Sequence, residues 1–184
     1  MPEKTSITAE IARFAAETRA GSLPASARHV MCLSLADWAS VAIAGRNEPV
    51  ASTVRALVES EAGTQEATVV GSSARLPARA AALANGTTSH ALDYDDTHFI
   101  HIGHTSVVVV SAALALAEKT RASGAAFLDA CLIGVESACR IGDWLGRSHY
   151  RGGFHQTATS GAFGAAAASA RLLGLDAETT RHAL

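Results

Sequence analysis

Apolar residues recur at helical spacing along nearly the whole chain. Over 6–19, Ile7, Ile11, Phe14 and Ala15 fall on one face, and Gly21 closes the run. Pro24 fits a first helical turn, where a missing N–H costs no hydrogen bond. Beyond it Val30, Met31, Leu35, Trp38, Val41 and Ala42 form a long stripe ending at Gly45, and a third helix is predicted over 50–59. The stretch 67–71 (Ala-Thr-Val-Val-Gly) is the one good strand candidate, and it is short. Pro77 opens a helix that runs into Asn85-Gly86, a pair that predicts a bend or a close backbone approach.

The second half continues in the same way. A helix is predicted over 106–121 despite four consecutive valines, because Ala-Ala-Leu-Ala-Leu-Ala-Glu-Lys follows them. Another spans 124–145, with Phe127, Cys131, Leu132, Val135 and Ile141 among its apolar positions. The last long helix starts near His155 and is stopped by Gly174; Asp176 then caps a helix of about two turns. With no internal repeat, low-complexity segment or linker, the pattern predicts an all-α, multi-helix bundle with residues 1–184 as one domain. Its many small residues allow close helix approach.

Composition narrows the function classes. A chain of 184 residues with 48% hydrophobic content supports a real core and excludes a disordered protein. Fifteen Lys+Arg against seventeen Asp+Glu leave no broad basic surface, so nucleic acid is not an expected partner. The most apolar run, 106–117, is too short for a bilayer and is soon followed by Glu118, Lys119 and Arg121, so no membrane span is expected. Met1-Pro2-Glu3-Lys4 lacks a signal-peptide pattern, and a cytoplasmic location is the expectation. Cys32, Cys131 and Cys139 lack metal-type spacing and are odd in number, which reads as reduced thiols on helices.

Against this background one segment concentrates chemistry. His90, His98, His101 and His104, with Asp93, Asp95 and Asp96, lie within fifteen residues, in a chain only 17% charged. His and Asp together can move protons near neutral pH. Blander roles also fit: His98 and His101 as solvated loop residues, Asp95 or Asp96 as a cap for a neighbouring helix. A zinc or iron site is the sharper rival, since His98-x2-His101-x2-His104 with Asp93, Asp95 and Asp96 offers N and O ligands; that spacing, however, drifts around a helix.

A second candidate is Arg151-Gly152-Gly153-Phe154-His155-Gln156-Thr157-Ala158-Thr159. At a helix start, free N–H groups and the positive dipole end favour a carboxylate or phosphate. The same field would help hold His155 neutral, as base or donor. The alternative is a glycine turn followed by a Thr157 or Thr159 cap.

The runs from Asn85 to Thr97, His104-Thr105-Ser106 and Gly153-Phe154-His155-Gln156-Thr157-Ala158-Thr159, in that order, resemble the MmgE/PrpD family of 2-methylcitrate dehydratases and cis-aconitate decarboxylases. The resemblance extends over essentially the whole chain, including the Ala-Leu-Ala-Leu-Ala-Glu and Gly-Ala-Phe-Gly-Ala-Ala-Ala-Ala helices. It implies a large helical domain that elsewhere carries a smaller α+β lid, and a cytoplasmic homodimer that works without metal or organic cofactor. The implied activity is a carbon–oxygen lyase of propionate metabolism, eliminating water from a 2-methylcitrate-like di- or tricarboxylate; related members decarboxylate or epimerise.

Carried over by motif, Asp93, Thr97, His104 and His155 are active-site residues. The implied roles are His155 for proton transfer, His104 as its partner, Asp93 as orienter or acid, and Thr97 for a substrate carboxylate; the two histidines are interchangeable in role. His101 and Thr157 are further substrate-binding candidates, His101 being an alternative match to the second motif. Thr105 stands where a proline commonly follows the histidine in the family.

Full-length members are more than twice this long and bring their lid and carboxylate-binding lysines from beyond the equivalent of Leu184. The expectation is therefore a truncated chain of low activity, paired with a missing C-terminal half or a second copy, and prone to self-association through uncovered apolar faces. Arg140, Arg147 and Arg151 are not known to replace those lysines. A non-catalytic dimerisation or carboxylate-binding fragment is the alternative from another class, and a metal-dependent protein built on the His/Asp segment is a third.

Overall fold

The computed structural model describes residues 6–19 and 21–184. Among them are eight helices: α1 (Ile7–Glu17), α2 (Ala25–Gly45), α3 (Pro49–Glu61), α4 (Ala78–His90), α5 (Ser106–Thr120), α6 (Gly124–Arg151), α7 (Gln156–Leu172) and α8 (Ala177–Ala183). Two short strands, β1 (Ala67–Thr68) and β2 (Arg75–Leu76), form an antiparallel pair between α3 and α4. The all-α expectation holds. None of the described helices is long and apolar enough to cross a membrane.

Helix α5 is the packing centre. It lies against α4, α6 and α7, and Val109, Val110 and Ala113 are fully buried in a cluster with Met31, Trp38, Ala130, Cys131 and Ala168. Burial on several sides explains why the valine run is helical: local β preference is worth far less than the apolar surface hidden here. Trp38 Nε1 donates to Ser111 Oγ at 3.1 Å, which ties α2 to α5 inside this core.

Four local readings change. Pro24 stands at the N-cap of α2, one position before its first turn. The strand stops after Thr68 because the N–H of Val70 is taken by Asn85 Oδ1 at 2.8 Å and Gly71 turns the chain at φ 83°. No bend occurs at Asn85-Gly86. Asn85 is buried with its amide on Val70 N and Thr68 O, while Gly86 faces Ser111 and Val107 at ordinary contact distance, so α4 runs through intact.

Helix α6 continues past the predicted end at 145, across a break at Gly146 (φ 65°, ψ −174°). This backbone region is essentially glycine's own. Gln156 Nε2 donates to the carbonyls of Gly142 (3.0 Å) and Gly146 (3.2 Å), satisfying acceptors next to the break.

Arg171 closes the bundle. It pairs with the buried Asp129 (2.9 Å) and donates to the carbonyls of Ala15, Ala16 and Thr18 at the C-terminal end of α1. A cation at that end complements the helix dipole and satisfies carbonyls that lack intrahelical partners.

Candidate active site

The site forms where the end of α4, the 91–105 connection and the start of α7 meet. Two residues of the connection, Asp93 and Ile102, adopt positive φ of 55°. The connection is pinned at both ends. His98 N donates to Gly103 O at 3.0 Å and Ile102 N to His98 O at 2.8 Å. Asp96 accepts from Ser106 N (3.0 Å) and Ser106 Oγ (2.7 Å), capping α5, while its own N–H donates to Asp37 Oδ2 at 2.9 Å. His104 N donates to Thr157 Oγ1 at 2.8 Å, joining the connection to α7. A Cβ on Gly103 would lie 2.7 Å from that hydroxyl, so only glycine allows the approach.

Within this frame two imidazoles share one carboxylate. Asp95, with its side chain fully buried, places Oδ1 at 2.8 Å from His90 Nδ1 and 3.3 Å from His104 Nδ1. The Asp95 carbonyl lies 3.0 Å from the same His104 nitrogen, and Asp95 Oδ2 has no partner. The hydrogen bond that His90 donates to Asp95 holds its imidazole above the ordinary pKa, against the opposing effect of burial. On the outer side Asp93 Oδ1 lies 3.5 Å from His104 Nε2 and 4.0 Å from His90 Nε2, with its own side chain 80% exposed. His155, the exposed N-cap residue of α7, stacks over His104 with ring centres 6.4 Å apart, and Tyr150 lies 6.1 Å beyond it.

Of the residues selected from sequence, Asp93, His104 and His155 are thus brought together, with Thr157 held against the backbone of His104. Thr97 is exposed on the connection. His101 is a correction, both as a solvated loop residue and as a group open to substrate. It is 0% exposed, its Nδ1 lies 3.2 Å from Ala138 O and from Ser160 Oγ, and burial holds its pKa below the ordinary value. His98 is tied instead to the N–H of His101. The predicted His98/His101/His104 ligand set therefore does not converge.

The grouping that does is His90, Asp95 and His104, whose potential ligand atoms lie within 4.8 Å of one another. The same Nδ1 atoms are engaged with Asp95, an arrangement suited to handing protons between imidazole and carboxylate. Burial pushes the thiols of Cys131 and Cys139 up to about 12, which leaves them inert.

His90, Asp95 in this role, Asp37 and Gln156 escaped the functional reading. For Asp37 a signal existed: it is a lone acid inside the apolar stripe of α2. His90 and Asp95 were marked only as members of the dense His/Asp segment; their pairing was not legible, because five residues across a helix end match no regular period.

Comparison with known proteins gives the family. The family model for the MmgE/PrpD N-terminal domain matches residues 9–184. The chain is 28% identical over 186 residues to the cis-aconitate decarboxylase-like protein oryM of Aspergillus oryzae, covering 97% of this chain and 39% of that protein. It is 28% identical over 187 residues to a cis-aconitate decarboxylase of Aspergillus terreus, covering 98% and 38%. With the human cis-aconitate decarboxylase it shares 34% identity over 115 residues, 60% of this chain and 24% of the relative. The chain spans about two-fifths of the length of the two fungal relatives. By the match over residues 9–184, this chain belongs to the MmgE/PrpD family.

Proposed function

We propose that this chain supplies the proton-transfer part of a lyase acting next to a carboxylate in a di- or tricarboxylate. The observation that carries the reading is the convergence of His104, His155 and Asp93 on one accessible surface, backed by the buried Asp95. In the dehydration of a 2-methylcitrate-like substrate, a base takes the proton from the carbon beside a carboxylate, the C–O bond breaks, and an acid protonates the departing hydroxyl to give water. His155 acts as base and His104 as acid, with Asp93 orienting His104. Thr97 and the uncapped start of α7 hold substrate carboxylates.

The names of the relatives favour a second reading on the same residues. In decarboxylation of cis-aconitate the C–C bond to one carboxylate breaks, CO2 leaves, and the resulting carbanion takes a proton from one histidine. Both reactions use one proton relay and no organic cofactor.

A tricarboxylate also calls for cationic partners, which the family resemblance assigns to lysines. The one lysine among the described residues, Lys119, pairs with Glu66 at 3.1 Å. It sits about 20 Å along α5 from the site, at 1.5 Å of rise per residue. We propose that further chain of the kind the longer relatives carry, or a second copy, supplies them.

The test offers cis-aconitate and 2-methylcitrate to the 184-residue protein, alone and supplied with the remaining length of the A. oryzae relative. Turnover that is lost in His104→Asn and His155→Gln supports the reading. Turnover that survives both substitutions, or binding of neither acid in any combination, refutes it and leaves a helical association module.

A further inference from the structure

We propose that Asp95, with His90 as its second partner, is a positioning residue that fixes the ring proton of His104 on Nδ1 and leaves Nε2 as the exchanging atom. The proposal rests on the proton-transfer reading of His104 given above.

The argument is one of acceptors. His104 Nδ1 faces two oxygens of a single residue, the Asp95 carbonyl at 3.0 Å and carboxylate Oδ1 at 3.3 Å. Neither oxygen can donate, so the nitrogen between them must carry the hydrogen. In a neutral imidazole the other nitrogen is then a bare acceptor. That nitrogen, Nε2, is the one 3.5 Å from Asp93, on the side where the site opens to solvent. Asp95 therefore selects which atom of His104 deals with substrate while remaining buried itself.

His90 completes the device. A carboxylate removed from water with one oxygen unpartnered needs compensation, and His90 Nδ1 at 2.8 Å supplies it. His104 is thus not the sole counter-group of Asp95. The groups that face His104 are His90 from the end of α4, Asp93 and Asp95 from the connection, and His155 and Thr157 from the start of α7. Among them Asp95 and Thr157 are buried and hydrogen-bonded to His104, one to its ring and one to its backbone.

The test reads the ring directly, by nitrogen NMR of the 15N-histidine-labelled 184-residue protein, and does not depend on turnover. In the unsubstituted protein above the imidazole titration range, His104 is expected as the Nδ1–H tautomer alone. In Asp95→Asn the backbone carbonyl at 3.0 Å still accepts from Nδ1, so the Nδ1–H tautomer stays in the majority, and loss of the second acceptor is expected as a minor Nε2–H population. His90→Leu and His90→Gln serve as variants outside the buried position. With leucine the carboxylate faces one imidazole, and the Nδ1–H proton resonance of His104 moves downfield as that hydrogen bond strengthens; with glutamine, which still donates, it stays near the unsubstituted position. Where turnover is measurable, Asp95→Asn lowers kcat about 10²-fold with KM little changed.

An Nε2–H tautomer in the unsubstituted protein, or the same Nδ1–H resonance position in both His90 variants, overturns the positioning role. The NMR result holding while His104→Asn retains full turnover would overturn the lyase reading alone.

Discussion

Replacing Gly146 by alanine isolates a purely conformational cost. A Cβ at this position meets nothing within 4 Å, so neither clash nor new packing enters. What remains is the backbone, at φ 65° and ψ −174°, where an L-residue costs about 1–3 kcal/mol. Loss of glycine's freedom in the unfolded chain returns about 0.4–1 kcal/mol. The expected net destabilisation is about 1–2 kcal/mol, read as a lower urea midpoint with unchanged m.

The chain has one way to escape this cost. It can straighten α6 into continuous helix, which alanine favours over glycine by about 1 kcal/mol. Straightening would withdraw the carbonyls of Gly142 and Gly146 from Gln156, and with them the anchor beside His155. The His155 resonances would then move while stability changed little. Gly124→Ala serves as the control, since a Cβ at this first position of α6 also meets nothing within 4 Å and its φ is not positive. An alanine variant with unchanged urea midpoint and unchanged His155 resonances would refute the reasoning.

The remaining predictions use the same kinds of measurement. Burial holds the His101 pKa below its ordinary value of 6.5, so the unfolded chain binds more protons there as pH falls. Stability is therefore full above 6.5 and declines from there down to the folded pKa, and His101→Gln should flatten this acid limb of the urea midpoint against pH. His90 is raised by Asp95, which gives the opposite sign: its contribution is complete below 6.5 and is lost as pH rises through the raised value, a limb that His90→Leu should remove. Arg171→Met leaves Asp129 buried with only the 3.9 Å contact to Arg28 and should cost about 3–5 kcal/mol in urea unfolding, with Asp129→Leu in the same chain restoring part of it. Asn85→Ala loses both bonds to the β1 region and should cost about 2–3 kcal/mol, with amide exchange accelerating first at Val70.

Much of this architecture was legible as helical periodicity, because a face buried along its length leaves a regular trace. The stripe from Met31 to Ala42 and the stop at Gly174 are of this kind, whereas Val30, read into the same stripe, is exposed. What periodicity missed are places where one side chain serves a distant backbone. Asn85 reads as a helix breaker, yet its amide replaces a strand partner for Val70. His101 reads as a solvated loop residue, yet it is enclosed against Ala138 and Ser160, on helices far along the chain. The candidate site divides in the same way. Asp93, His104 and His155 were found through motif resemblance, while Asp95 and His90 acquire their relation only when the connection folds back on α4.

The Arg171 clamp has a consequence for synthesis. Arg171 and the carbonyls it holds on Ala15, Ala16 and Thr18 are separated by 153 to 156 residues. Helix α1 therefore leaves the ribosome well before α7, which must follow before the C-terminal end of α1 is secured. At about 5–20 residues per second that interval is on the order of ten seconds or more, during which the apolar face of α1 has no seat. A docked α1 reports that α7 has arrived, so protease sensitivity near Thr18 during translation would time the closure of the whole bundle.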